Sequence, residues 1–259
     1  MSADSLLWFE RYPARGPTLA RLFCIPHAGG SGYAYRDWIP HLPQWLELIG
    51  VRLPGRGARV REPAFHRMEP LISALGAAIL QHLDKPFALF GHSMGALVAF
   101  ELSMRLAPRG LLPFHLFVSG TRPPHFSRDE KQLHRLPRES FLEELRKLNG
   151  TALEILEDDT VMSSLLPVLR ADFELVETYP ARARPAVYCP ITALGGREDE
   201  TVSEQELQEW SHYTRLAFRC HMFPGDHFFI GPQEVEMLSL ISTTIRNACP
   251  PQPNSRHQV

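Results

Sequence analysis

The sequence contains no run of about 18 consecutive apolar residues, so no membrane-spanning helix is expected. It also lacks a dominant charge: 27 basic side chains face 29 acidic ones, for a formal net charge of −2. With a pI near 6.6, that balance argues against nucleic acid as the main partner. Cys-x-x-Cys pairs are missing as well. The four cysteines, Cys24, Cys189, Cys220 and Cys249, are scattered, and none stands at zinc-site spacing from a histidine or another cysteine. Three of them lie in or beside apolar runs and read as small core residues in a reducing compartment. The opening residues carry neither a basic n-region nor a long apolar h-region, so a secretory signal is not expected and the cytoplasm is the expected location.

What is present suits one large α/β domain. Of 259 residues, 44% are hydrophobic and 22% charged, enough for a substantial core. Short apolar runs at residues 21–26, 46–53, 87–90, 114–118, 188–194 and 216–223 read as strands. Helical periodicity at 68–83, 93–107, 203–212 and 232–247 reads as the helices between and after them. A short helix is also expected near 35–42. Such alternation predicts a mostly parallel sheet with helices on both faces. It breaks from about 121 to 185, where charged helical stretches near 138–148, 157–164 and 165–178 replace the strands. An insertion of that length at the end of a sheet strand reads as a helical lid. The expected organisation is therefore a single domain over 1–249 with a lid at about 121–185. The polar, proline-rich tail at 250–259 is expected to be disordered.

The stretch that organises the rest is Gly91-His92-Ser93-Met94-Gly95, set between the apolar run 87–90 and an amphipathic helix. Gly-x-Ser-x-Gly alone arises by chance in roughly one chain of this length in ten. The strand, tight turn and helix around it are the setting that lifts a serine to an exposed apex beside backbone N–H groups. Ser93 is accordingly the candidate nucleophile.

A serine hydroxyl needs a base, and the base needs an acid to fix its tautomer, following the nucleophile in the chain order serine, acid, histidine. His227, in a Gly-Asp-His loop directly after the last strand, is the candidate base. His82, His134 and His212 fall on helices expected to be solvated, His92 adjoins the serine and points elsewhere, and His27 reads as a loop-shaping residue near substrate. Asp199, after a Gly-Gly turn, is the preferred acid, with Glu198 and Glu200 kept open, while Asp226 reads as a turn residue. For an oxyanion, the Met94 N–H at the helix start is one donor, and the Ala28 N–H in the loop His27-Ala28-Gly29-Gly30 is the other. Arg52, Arg56, Arg59, Arg61 and Arg67 form a basic run that reads as a solvated loop or as a patch for an acidic partner.

Five motifs in order, Pro26-His27-Ala28-Gly29-Gly30, Leu53-Pro54-Gly55-Arg56, Gly91-His92-Ser93-Met94-Gly95, Gly196-Arg197-Glu198-Asp199-Glu200-Thr201-Val202 and Gly225-Asp226-His227-Phe228-Phe229, resemble those of type II thioesterases over about residues 8–247. These are stand-alone α/β-hydrolases that serve non-ribosomal peptide and polyketide synthases, and medium-chain fatty-acid-synthase thioesterases are close relatives. The resemblance implies the α/β-hydrolase fold and hydrolysis of acyl groups from the phosphopantetheine arm of acyl or peptidyl carrier proteins, removing stalled or aberrant units. It places nucleophile, acid and base on Ser93, Asp199 and His227, and the oxyanion amides on Met94 and Ala28. It implies a monomer with no metal and no cofactor of its own. Release of a medium-chain product, a soluble small-molecule esterase or acyltransferase, and a non-catalytic carrier-binding protein are the alternatives. The acidity of carrier proteins makes the arginine run a candidate docking surface.

Overall fold

The computed structural model describes residues 7–128, 132–150 and 156–249. Its strands are β1 (Phe9–Tyr12), β2 (Ala20–Ile25), β3 (Leu46–Val51), β4 (Phe87–His92), β5 (His115–Ser119), β6 (Ile191–Gly196) and β7 (Phe218–Phe223). They form one sheet in the order β1-β3-β2-β4-β5-β6-β7. Only β1 runs antiparallel, with Phe9 opposite Val51. Every other pairing is parallel, for example Cys24 with Phe90 and His92 with Ser119.

Strands β2 to β6 are buried along their whole length. That is why they read as unbroken apolar runs rather than alternating ones. Successive side chains still point to opposite faces. Phe23 and Ile25 join Ile49, Leu89 and the helices α1 (Met68–Ile79) and α2 (Met94–Leu106) on one face. Leu22 and Cys24 join Leu48, Phe90 and the helix α6 (Glu234–Ala248) on the other, together with Tyr35 and Trp38 from a ten-residue 3-10 segment, Gly32–His41.

Between β5 and β6 lie helices α3 (Arg138–Leu148) and α4 (Asp159–Glu177). They build a small core of their own from Phe141, Leu145, Met162, Leu166 and Leu169. A further helix, α5 (Glu204–Gln208), opens on the expected capping box of Ser203 and Glu206.

Two features depart from the sequence reading. Strand β1 was not expected, because four residues between charges and a proline carry little strand signal. Its place at the antiparallel edge, with half-exposed Glu10 and Tyr12, explains that weakness. The two helices expected at 157–164 and 165–178 are one. Asp158 caps it by accepting from the N–H groups of Thr160 and Val161. Pro167 sits inside, where it removes one N–H, and the buried face continues past it through Val168, Leu169, Asp172 and Leu175. The expected tail at 250–259 lies outside the described residues.

Candidate active site

Ser93 caps α2 with φ 53° and ψ −118°, a conformation rare for any residue but glycine. Holding it costs on the order of 1–3 kcal/mol, and the surroundings must enforce it. They do so by close approach. A Cβ on Gly91 would run into the Gly95 carbonyl, and one on Gly95 would run into the Ile25 carbonyl of β2. The Ser93 N–H donates to the Ser119 carbonyl at 2.7 Å. The serine side chain makes no cap hydrogen bond. The Met94 N–H, first in the helix, belongs to the set that has no partner within the helix.

At the carboxyl ends of β6 and β7, two loops bring Asp199 and His227 together. His227 Nδ1 donates to Asp199 Oδ2 at 2.7 Å, and the Asp199 side chain is fully buried. Oδ1 of the same carboxylate accepts from the Thr201 N–H at 2.8 Å and the Thr201 hydroxyl at 2.7 Å. Burial pushes this carboxyl upward, but the hydrogen bond and charge of His227 and the two Thr201 donors outweigh it, so the group lies below its usual range. An ionised Asp199 fixes the proton on Nδ1 and leaves Nε2 as the free lone pair. Glu198 and Glu200 are not part of this contact. Glu198 instead accepts from the Gly225 N–H at the foot of the His227 loop. Asp226 takes its turn role, accepting from the Phe228 N–H at 2.8 Å.

Three imidazoles crowd this end of the sheet. The His92 ring lies 5.1 Å from that of His227 and 6.0 Å from that of His27, centre to centre. His92 is fully buried, with Nδ1 2.9 Å from the Ser119 hydroxyl. Burial, reinforced by His227 and His27, drives it well below the ordinary histidine range, so it stays neutral. His27 is lowered to about 4 by burial, with His227 and Arg56 adding to the effect. Phe228 packs edge-on against all three rings. Two other histidines correct the sequence reading. His82 is buried beneath Phe9, and His134 is bound by Glu177, so neither is solvated. His212 is exposed as expected.

The glycine loop forms a turn closed by the Gly30 N–H donating to the His27 carbonyl at 2.9 Å. Gly29 has φ 74°, while Ala28 is not in the left-handed region, the backbone of a type II turn. Such a turn leaves the N–H groups of its two central residues, Ala28 and Gly29, unused by the turn itself.

Part of the arginine run is engaged inside the fold rather than presented to solvent, while Arg61 and Arg67 stay exposed. Arg56 is buried against Asp172 at 2.7 Å, and Arg59 binds Glu62 and lies 4.0 Å from the centre of the Trp8 ring. Arg67 pairs with Glu174, and Arg52 with Glu10 at 3.3 Å. Sequence reasoning missed Thr201 and Asp172. The latter carried a signal: an acid at a position where the periodicity of α4 demands an apolar residue.

A family model described as thioesterase domain matches residues 20–245. The chain belongs to the thioesterase family. Within it, the chain is 38% identical over 246 residues to the gramicidin S biosynthesis protein GrsT of Aneurinibacillus migulanus, covering 95% of this chain and 96% of that one. It is 36% identical to thioesterase PikA5 of Streptomyces venezuelae, over 93% and 86% of the two chains. The solved structure of BorB, a type II thioesterase from the borrelidin biosynthetic cluster, superposes with a TM-score of 0.86 at 34% identity, covering 93% of this thioesterase and 98% of BorB. The fold is thus that of the α/β-hydrolase type II thioesterases, and thioester hydrolysis is its family's chemistry. Among the described residues, no helix is long and apolar enough to cross a membrane.

Proposed function

We propose that this thioesterase hydrolyses acyl groups carried as thioesters on the phosphopantetheine arm of acyl or peptidyl carrier proteins, clearing stalled or aberrant units from a peptide or polyketide synthase. The observation that carries the catalytic part is the contact between His227 Nδ1 and the buried Asp199 carboxylate, on the sheet end where Ser93 emerges. Similarity to GrsT, PikA5 and BorB supports the synthase context.

In this reading Ser93 Oγ attacks the thioester carbonyl carbon while His227 Nε2 takes its proton, and Asp199 stabilises the imidazolium. The developing oxyanion is held by the N–H groups of Met94 and Ala28. Collapse expels the pantetheine sulfur, which takes the proton from His227 and leaves as thiol. Water then adds to the acyl-serine with His227 as base. The second collapse returns the proton to Ser93 Oγ and releases the carboxylic acid. The site needs no metal or cofactor for these steps. Helices α3 and α4 act as the lid, and the acyl chain lies beneath them.

The test is incubation of acyl-loaded carrier protein with enzyme, read by intact mass. Loss of the acyl group with recovery of the free pantetheine thiol is expected, against no loss with Ser93→Ala. A wild-type rate equal to that of Ser93→Ala defeats the proposal.

A further inference from the structure

Asp172, on the lid helix α4, accepts three hydrogen bonds, and they come from two distant parts of the chain. Arg56 closes on it as a fork, Nη1 to Oδ2 at 2.7 Å and Nη2 to Oδ1 at 2.8 Å. The third donor is the Gly29 N–H, to Oδ2 at 2.7 Å. Arg56 Nη1 also donates to the Gly30 carbonyl at 3.2 Å, and its Nε to the Pro54 carbonyl at 3.3 Å. Both side chains are buried, 8% and 3% exposed. Apolar contact supports the same arrangement: a Cβ on Gly29 would meet Leu169, the α4 residue one turn before Asp172.

We infer that Arg56 and Asp172 are positioning residues for the oxyanion loop, with the lid helix supplying the carboxylate that fixes the peptide next to the Ala28 N–H. This rests on the reading of Ala28 as an oxyanion donor. The type II turn leaves two free central N–H groups, and either can swing toward the site if nothing holds the turn. Asp172 takes the Gly29 N–H out of play, and Arg56 fixes Gly30 on the far side. Ala28 is left as the one central N–H of the turn that neither the turn nor the pair engages. An oxyanion donor acts through preorganisation, so a loop free to rotate loses much of its effect even with the N–H present. A buried ion pair is by itself weak evidence of a stabilising role, because such pairs often exchange for apolar residues of similar volume at little or no cost.

The test uses full-length enzyme and a soluble acyl-pantetheine thioester, so carrier recognition plays no part. The double variant Arg56→Met with Asp172→Leu keeps the volume of the pair and removes every acceptor for Gly29. Asp172→Asn and Arg56→Lys are the milder single changes. For the folded double variant, kcat is expected to fall about 10- to 100-fold with KM within about threefold. Hydrogen exchange in a peptide covering residues 27–32 should become faster at Gly29. The inference is overturned if the double variant, or either single variant should the double fail to fold, keeps kcat within twofold of wild type, or if Gly29 exchange is unchanged. Where wild type is inert toward the soluble thioester, the same variants are compared on acyl-loaded carrier protein; a wild type inert there too defeats the proposed function instead, and leaves the exchange result to judge the loop.

Discussion

The carboxylate of Asp199 is shared between His227 and Thr201, with one oxygen facing the imidazole at 2.7 Å and the other held by the hydroxyl and N–H of Thr201. The carboxylate is therefore held from both sides, and in the proposed mechanism its orientation sets that of the base.

Replacing the acid tests this directly. Asp199→Asn presents an amide to His227 and favours the wrong tautomer, so kcat toward a thioester should fall by roughly 10³–10⁴. Ser93→Ala should remove the acyl-enzyme altogether. Single-turnover mass spectrometry, which sees the acyl-serine, separates the two. An Asp199→Asn enzyme with more than a tenth of wild-type kcat would remove Asp199 from the mechanism.

Thr201→Val isolates the contribution of the hydroxyl. The valine retains the backbone N–H bond to Asp199 and loses one side-chain donor, a change worth about 0.5–1.5 kcal/mol. A fall in kcat of about 2- to 10-fold is expected, with KM unchanged. A loss as large as that of Asp199→Asn would mean that the threonine does more than orient the acid.

The parts of this site that sequence reveals are those whose signal is local. A glycine-framed serine between a strand and a helix, a histidine just after the last strand and an acid after the one before it are each written within about five residues. Their convergence follows from parallel strands, whose carboxyl ends share one edge. The pairing of Arg56 with Asp172 is different. The two are 116 positions apart, one just after β3 and the other in an insertion between β5 and β6 whose helices carry no register against the sheet. Nothing in either local stretch names the other. The same holds for Arg59 over Trp8 and Arg67 with Glu174: an arginine run reads as surface charge until the fold supplies partners for several of its members.

The nucleophile turn should be intolerant of even one methyl group. In Gly91→Ala the new Cβ meets the Gly95 carbonyl, a backbone atom that cannot turn aside. A loss of about 1–3 kcal/mol or more is expected, read as a lower midpoint in urea, together with activity lost beyond what the stability change explains. A fully active Gly91→Ala enzyme would show that the turn relaxes without moving Ser93.

Internal pairing of the arginine run also makes a prediction about carrier recognition. Arg61 is exposed on this segment, whereas Arg56, Arg59 and Arg67 already face carboxylates. Arg61→Glu should therefore change KM for a carrier-bound thioester by no more than about threefold, within what one rim charge contributes. A tenfold rise in KM, steeply dependent on salt, would restore the segment as a docking surface.

Acid stability should depend on a histidine far from the chemistry. His115, on β5, is buried with Nε2 2.8 Å from the Thr192 hydroxyl. Burial, aided by the charge of Arg219, lowers it to about 4. In the unfolded chain the same ring titrates near 6.5. Between these values the unfolded state binds more protons than the folded one, so stability rises with pH across the interval and falls as pH drops through it. The contribution is complete above about pH 6.5, and on the order of 2–3 kcal/mol of it is gone by pH 4. His115→Gln keeps a polar side chain of similar reach and cannot take up a proton. Its urea midpoint should sit below wild type at pH 7.5 and converge on it by pH 4.5. Parallel curves over that range would mean that His115 titrates alike in both states, and that the acid sensitivity of the fold lies with His27 and His92 instead.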